Sequence, residues 1–325
     1  MASGALEDVR PGWIALDWGT THLRAYAMDE QGAVLARGTG PGMGALAAAQ
    51  DDFEDALLAV IDGWLSGSST PIIACGMVGS RQGWHEAGYL SLPQDLSALG
   101  DSLARVPARD GRLSVWIVPG LSQSNPYDVM RGEETQLAGY VADRHAKHNM
   151  DSGSTIAAPN RWICLPGTHA KWARLEASKV EHFSTAMTGE VFDLLVEHSI
   201  LRHSVSQAPM NSEAFDDAVK ASFHNPASLT QVLFSVRAEG LLAGEDGARA
   251  RGRMSGSLIG AELAALDLPA GQVVPLIGSP ALCQAYAQGL ACVGHGAEVL
   301  DGEAMVLKGL THVYAQLHDH QEVTQ

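Results

Sequence analysis

The chain has 325 residues, and its 21 Lys and Arg against 37 Asp and Glu leave a formal charge of −16 with His neutral. Hydrophobic residues make up 46%, enough for a large core in one big domain or in two of about 150 residues. The acidic balance argues against broad binding to nucleic acid or to anionic membrane, since both favour basic patches, and no apolar run reaches the roughly 18 residues of a membrane span.

Residues 13–17 are a short apolar run that ends in an aspartate and a glycine turn. Residues 22–27 resume with Leu23, Ala25 and Ala27 on one side, and residues 33–37 return after Gln31-Gly32. These runs read as three strands in a hairpin series. Residues 38–44 hold four glycines and a proline and read as loop. Phe53, Leu57, Val60, Ile61 and Trp64 then recur at helical spacing, and residues 72–75 form a short buried strand. This order belongs to an α/β domain rather than to a purely parallel dinucleotide-binding unit. Residues 115–118 read as another strand, 120–131 as a polar loop and 133–140 as a helix.

The polar stretch 143–160 marks a boundary, which divides the chain into domains 1–155 and 156–325. Residues 162–165 open the second half with a strand. Val191, Leu194, Leu195 and His198 mark one helix. Residues 229–266 read as largely helical, broken near Gly247 and around 251–256. A strand follows at 273–277, and Ser279-Pro280 starts a helix by the cap-then-proline rule. A last strand around 304–307 precedes a terminal helix. Two α/β halves joined by a hinge suit an interdomain cleft. The first residues lack the basic-then-apolar order of a secretory signal. The four cysteines, Cys75, Cys164, Cys283 and Cys292, make no CxxC pair, so free thiols in a reducing cytoplasm are expected.

Five stretches carry chemistry. In Asp17-Trp18-Gly19-Thr20-Thr21 a carboxylate at a strand end can hold Mg²⁺ through water, and the turn can face phosphoryl oxygens. A plain hairpin with a polar turn has the same composition. No Walker-type or GxGxxG loop occurs. Leu165-Pro166-Gly167-Thr168-His169-Ala170-Lys171 is a second such turn, with Lys171 either a phosphate-facing charge or an ordinary surface lysine. Asp128, Arg131, Glu133 and Glu134 stand together before a helix, where they offer a general base or merely an acidic helix start. Glu133 and Glu134 diverge by roughly 100° on a helix, so they do not both face one ligand. In residues 76–84, Arg81, Gln82 and Trp84 sit among glycines, as a loop for a polyol acid requires, with Arg81 able to grip a carboxylate as a fork. Gly278-Ser279 can pack against adenine or ribose, and is also how any strand-to-helix unit begins.

Together these stretches, with Thr185 to Glu190 and Ser255 to Gly260, resemble the 2-dehydro-3-deoxygalactonokinase family, in order from about residue 12 to 310. The wider class is the sugar kinase, heat-shock ATPase and actin superfamily. The resemblance implies two ribonuclease-H-like domains closing over ATP and Mg²⁺; from charge and hydropathy, no nucleic-acid or membrane partner is expected. It implies phosphorylation of 2-dehydro-3-deoxy-D-galactonate at its C6 hydroxyl. It assigns Asp17 to the metal, and Thr20, Thr21, Gly167, Thr168, Gly189, Gly278 and Ser279 to the nucleotide. Arg81, Gln82, Trp84 and Arg131 fall to the sugar acid. The base stays open among Glu133, Asp128 and Glu134, with Lys171 assisting by charge. A kinase for another sugar or sugar acid, or a superfamily ATPase without sugar chemistry, are the alternatives.

Overall fold

A computed structural model describes residues 9–49, 52–150, 161–206, 209–244 and 246–322. The chain divides into two compact units, one of residues 1–160, 175–182 and 302–325, the other of 161–174 and 183–301. The expected 155/156 boundary lies outside the described residues.

The first unit starts with the antiparallel series β1 (Trp13–Trp18), β2 (His22–Met28) and β3 (Val34–Pro41), followed by α1 (Met43–Ala49) and α2 (Phe53–Ile61). Asp52 caps α2 by accepting the N–H groups of Glu54 and Asp55, which relieves two donors that the helix cannot satisfy itself. β4 (Thr70–Cys75) then joins β1 in parallel. The remaining strands are β5 (Tyr89–Ser91), β6 (Gln94–Asp95), β7 (Ala104–Val106), β8 (Leu113–Ile117), β9 (Gly120–Ser124) and β10 (Tyr127–Met130), before α3 (Glu133–Met150). One sheet runs β3-β2-β1-β4-β8-β7 and a small one β10-β9-β5. Trp13, Ile14, Ala15, Leu16 and Trp18 of β1 are all fully buried, the pattern of a strand covered on both faces. Leu57 and Ile61 of α2 pack on Ile14, Leu16, Ile72 and Val115.

The second unit is built on β11 (Arg161–Leu165), β12 (Ala170–Glu176) and β13 (Lys179–Ala186). The hairpin end of β12 and β13, residues 175–182, counts with the first unit, where Lys179 and Val180 pair with β6. There follow α4 (Thr188–Glu197), α5 (Ser212–His224), α6 (Leu229–Leu242), α7 (Gly247–Ala264), β14 (Val273–Gly278), α8 (Pro280–Cys292) and β15 (Gly296–Asp301). β14 runs parallel to both β11 and β15. Both large sheets are therefore mixed, and the class is α/β. α9 (Gly302–Glu322) returns to the first unit. No helix among the described residues is long and apolar enough to cross a membrane, and all four cysteines are free thiols.

Four local expectations are corrected. Residues 120–130 are not loop but β9 and β10, paired with Leu121 opposite Met130; the apolar residues show no single buried face, since Leu121 and Met130 are buried but Tyr127 and Val129 are exposed. β3 extends to Pro41 and α1 begins at Met43, inside the expected loop. α7 runs unbroken through residues 251–256, because the glycines there serve packing. Residues 304–307 are helical, and the last strand is β15. A four-residue apolar run has no period of its own, and Met305, Val306, Leu310 and Val313 are buried along one helix.

Candidate active site

Asp17 is the last residue but one of β1 and Cys75 the last of β4, and their parallel register sets the two side by side. The Asp17 side chain is 24% exposed and pairs with Arg24 at 2.9 Å. Burial holds the Asp17 carboxyl above its ordinary range; Arg24 opposes the rise and Glu303 adds to it. Thr20 and Thr21 are exposed in the following turn. The carbonyls of Gly19, Thr20 and Thr21 accept the N–H groups of Met43, Gly44 and Gly42, so the start of α1 fixes the shape of that turn.

β4 turns out of the sheet at Gly76, whose φ is +94° and where a Cβ would stand 2.9 Å from the Trp18 carbonyl oxygen. Only glycine meets both demands. Trp84 returns against Trp18, edge to face at 6.2 Å between ring centroids. Arg81 and Gln82 remain exposed, and Arg81 makes no ion pair with any described residue. Arg131 is only 8% exposed. Its Nη2 donates to the Gly88 carbonyl at 2.6 Å and its guanidinium lies 4.3 Å over the Tyr89 ring. Its Nε and Nη1 are buried without an acceptor among the described residues.

α3 opens with Glu133 and Glu134. Glu134 is fully buried, and its carboxylate accepts the Gly132 N–H at 2.7 and 2.9 Å and the Thr135 hydroxyl at 3.1 Å. Burial pushes its carboxyl up to about 8, with the neighbouring Glu133 adding to the rise. Glu133 is half-buried and accepts the Arg131 backbone N–H at 3.0 Å. Asp17, Glu134 and Glu133 all act on Cys75, whose buried thiol is raised first by desolvation and then by these charges. The fold thus gathers Asp17, Glu133 and Glu134 around one thiol. Asp128 stands elsewhere, in β10, with its carboxylate on the Val129 N–H at 2.8 Å. It lines a different cavity, of about 730 Å³, with Ser91, Ser122 and Tyr127.

In the second unit the turn Pro166-Gly167-Thr168 joins β11 to β12. It is clamped to the start of α4: the Glu190 N–H donates to the Thr168 carbonyl at 2.9 Å, and His169 Nε2 meets Glu190 Oε2 at 2.5 Å. A Cβ on Gly189 would stand 2.5 Å from the Gly167 oxygen, so the two backbones touch. Lys171 is buried in β12 and donates to the Thr185 hydroxyl at 2.8 Å. A Cβ on Gly278 would stand 3.2 Å from the Pro166 carbonyl oxygen, and Ser279 is the exposed N-cap position of α8. A cavity of about 390 Å³ opens beside the turn, lined by Gly167, Thr168, Thr188, Gly189, Leu282 and Tyr286 among others. The positive end of a helix dipole at such a turn suits an anion.

The structure also shows residues that motif reading passes over. Glu262 of α7 is 8% exposed and accepts hydrogen bonds from Trp172, Thr188 and Tyr286. These partners lie 90, 74 and 24 residues away, so no local spacing signals the cluster. The His169–Glu190 pair was visible only as two ordinary polar residues flanking glycine turns.

The chain matches the family model described as 2-keto-3-deoxy-galactonokinase over residues 17–313. A Rhizobium meliloti protein assigned as 2-dehydro-3-deoxygalactonokinase is 42% identical over 311 residues, covering 92% of this chain and 95% of the relative. The 2-dehydro-3-deoxygalactonokinase of Escherichia coli K12 is 32% identical over 305 residues, covering 93% and 97%. A crystal structure from Sinorhizobium meliloti with the same assignment superposes at a TM-score of 0.80 with 40% identity, covering 93% of this chain and 95% of that one.

Proposed function

The chain belongs to the 2-keto-3-deoxy-galactonokinase family, and we infer that it transfers the γ-phosphoryl group of ATP to 2-dehydro-3-deoxygalactonate. The observation that carries this reading in the molecule itself is the Gly167-Thr168 turn. It is clamped against the start of α4 and opens on a cavity large enough for a nucleoside. The hairpin series with β4 and β8 added in parallel supports a ribonuclease-H-like first unit, and we assign the second unit to the same class. The free thiols support a reducing, cytoplasmic setting.

Gly167, Thr168 and Gly189 would approach the phosphates, and Gly278 and Ser279 the nucleoside. Thr20 and Thr21 present exposed hydroxyls from the first unit. Mg²⁺ is commonly held by one or two carboxylates plus substrate phosphates. Asp17, a partly exposed carboxylate at a strand end, fits that need, while no group of three ligating side chains occurs among the described residues. Bound there, Mg²⁺ would offset charge on the phosphoryl oxygens. Arg81, Gln82 and Trp84 of one loop, together with Arg131, are assigned to the sugar acid. The C6 hydroxyl is too weak an acid to ionise at neutral pH, so a carboxylate takes its proton as the bond to phosphorus forms. Glu133 is the favoured base, followed by Asp128, with Glu134 committed to the Gly132 turn. Lys171 and the turn N–H groups stabilise the charge that develops on the transferred group. ATP consumption measured against a panel of 2-keto-3-deoxy sugar acids and neutral sugars tests the reading. Consumption is expected with 2-dehydro-3-deoxygalactonate; equal rates with neutral sugars, or rates independent of any sugar, overturn it.

A further inference from the structure

Glu262 joins four elements of the second unit at one buried carboxylate. Its Oε1 accepts the Trp172 indole N–H at 2.6 Å, and its Oε2 accepts the Tyr286 hydroxyl at 2.9 Å together with the Thr188 hydroxyl. Trp172 sits in β12 beside Lys171, Thr188 is the first residue of α4 beside Gly189, and Tyr286 belongs to α8. Thr188 and Tyr286 both line the cavity beside the Gly167-Thr168 turn. Each hydroxyl has one proton and two lone pairs. A proton spent on Glu262 leaves that oxygen able only to accept on its other side.

We propose that Glu262 sets the hydrogen-bond polarity of the nucleotide cavity. By drawing the protons of Thr188 and Tyr286 inward, it makes that wall a pair of acceptors that selects a nucleotide presenting a hydrogen-bond donor. This proposal rests on the kinase reading above. The donor chemistry is shared by the ribose hydroxyls and the 6-amino group of adenine. A group lacking the donor leaves the buried Tyr286 oxygen and the half-buried Thr188 oxygen unanswered, and a site built for a hydrogen bond rejects such an analogue strongly.

Glu262→Gln isolates the device. The indole N–H can only donate, so the amide oxygen must stay on Trp172 and the amide N–H groups must face the two hydroxyls. Thr188 and Tyr286 then accept from the amide and turn their own protons toward the ligand. The experiment measures KM and kcat of wild type and variant with ATP, 2′-deoxy-ATP, 3′-deoxy-ATP and purine riboside triphosphate, at saturating sugar acid. Wild type is expected to show a KM about tenfold or more higher for the analogue that lacks the recognised donor, which also identifies that donor. Glu262→Gln is expected to raise KM for ATP about tenfold, to keep kcat and the sugar-acid KM within about threefold, and to lose the discrimination. A purely structural role would not move the ratio between analogues. If Glu262→Gln does not fold, Thr188→Val and Tyr286→Phe each remove one acceptor and must each shrink the same ratio. Equal KM for all four nucleotides in wild type, or an unchanged ratio in the variants, overturns the proposal. Absence of any ATP turnover by wild type overturns the kinase reading itself.

Discussion

Asp17 stands at the end of β1 with its carboxyl partly open to solvent, paired to a half-exposed Arg24. Exposed ion pairs contribute little to stability, so Asp17→Asn should keep the circular dichroism spectrum while turnover at saturating Mg²⁺ and ATP falls roughly 10²-fold or more, the loss typical of a group that stabilises transferring charge. Near-normal turnover would remove Asp17 from this role. Glu133 and Asp128 can be separated in the same assay. Glu133→Gln should cut kcat roughly 10²- to 10⁴-fold with little change in either KM, whereas Asp128→Asn should not; the reverse pattern moves the base to β10. Glu134 gives a pH signature instead. Its carboxyl titrates near 8 in the folded protein against an ordinary 4.5. Between these values the folded state holds a proton that the unfolded chain has released. Stability therefore falls as pH rises through that window and is fully present below it. Thermal unfolding followed from pH 5 to 8.5 should show this loss in wild type and a flatter profile in Glu134→Gln; parallel profiles would mean that Glu134 stays ionised.

At the scale of elements, α7 carries Gly252, Gly256 and Gly260 one helical turn apart, all on the face that meets α5. A Cβ at these positions would stand 2.4, 2.3 and 2.4 Å from carbonyl oxygens of Asn211, Phe215 and Val219. The two backbones therefore touch, and α7 is held where Glu262 can reach Trp172, Thr188 and Tyr286. Gly256→Ala raises helix propensity but must push the helices apart. Overpacking of this kind costs about 1–3 kcal/mol, so the net effect should be a lower midpoint in urea. Gly63→Ala, where nothing stands within 4 Å, serves as the comparison. An unchanged midpoint for Gly256→Ala would show that α5 and α7 can separate freely.

At the scale of the whole molecule, the C-terminal helix completes the N-terminal unit. α9 buries Met305, Val306, Leu310 and Val313, and Tyr314 stacks on Trp13 of β1 at 4.5 Å. α9 crosses α3 so closely that a Cβ on Gly139 would stand 1.9 Å from the Met305 oxygen. Burying four such side chains is worth on the order of 6–12 kcal/mol, comparable with the roughly 5–15 kcal/mol that holds a domain folded. A chain ending at Asp301 should therefore lose the fold of its first unit, seen as rapid proteolysis between residues 13 and 130 and loss of the near-ultraviolet tryptophan signal. Retention of both would show that the helix is an addition rather than a part of the core.

The strands that bear Asp17, Cys75 and Cys164 were legible because fully buried strands announce themselves as apolar runs ending at a turn. The family was legible because its motifs are contiguous. The glycines of α7 were visible in the chain but read as a break, since only the approach of α5 gives them a packing purpose. β9 and β10 are hidden from sequence reading because their apolar residues are split between buried Leu121 and Met130 and exposed Tyr127 and Val129, and their pairing comes from each other. The separation of Glu133 and Glu134 from Asp128 came only with the sheet register and the turn at Gly132. The Glu262 cluster came only with the packing of β12, α4, α7 and α8. Local sequence sets what a segment can become, because backbone and side-chain preferences act over a few residues. Which distant side chains share one carboxylate is settled by burial, which acts on the folded chain as a whole.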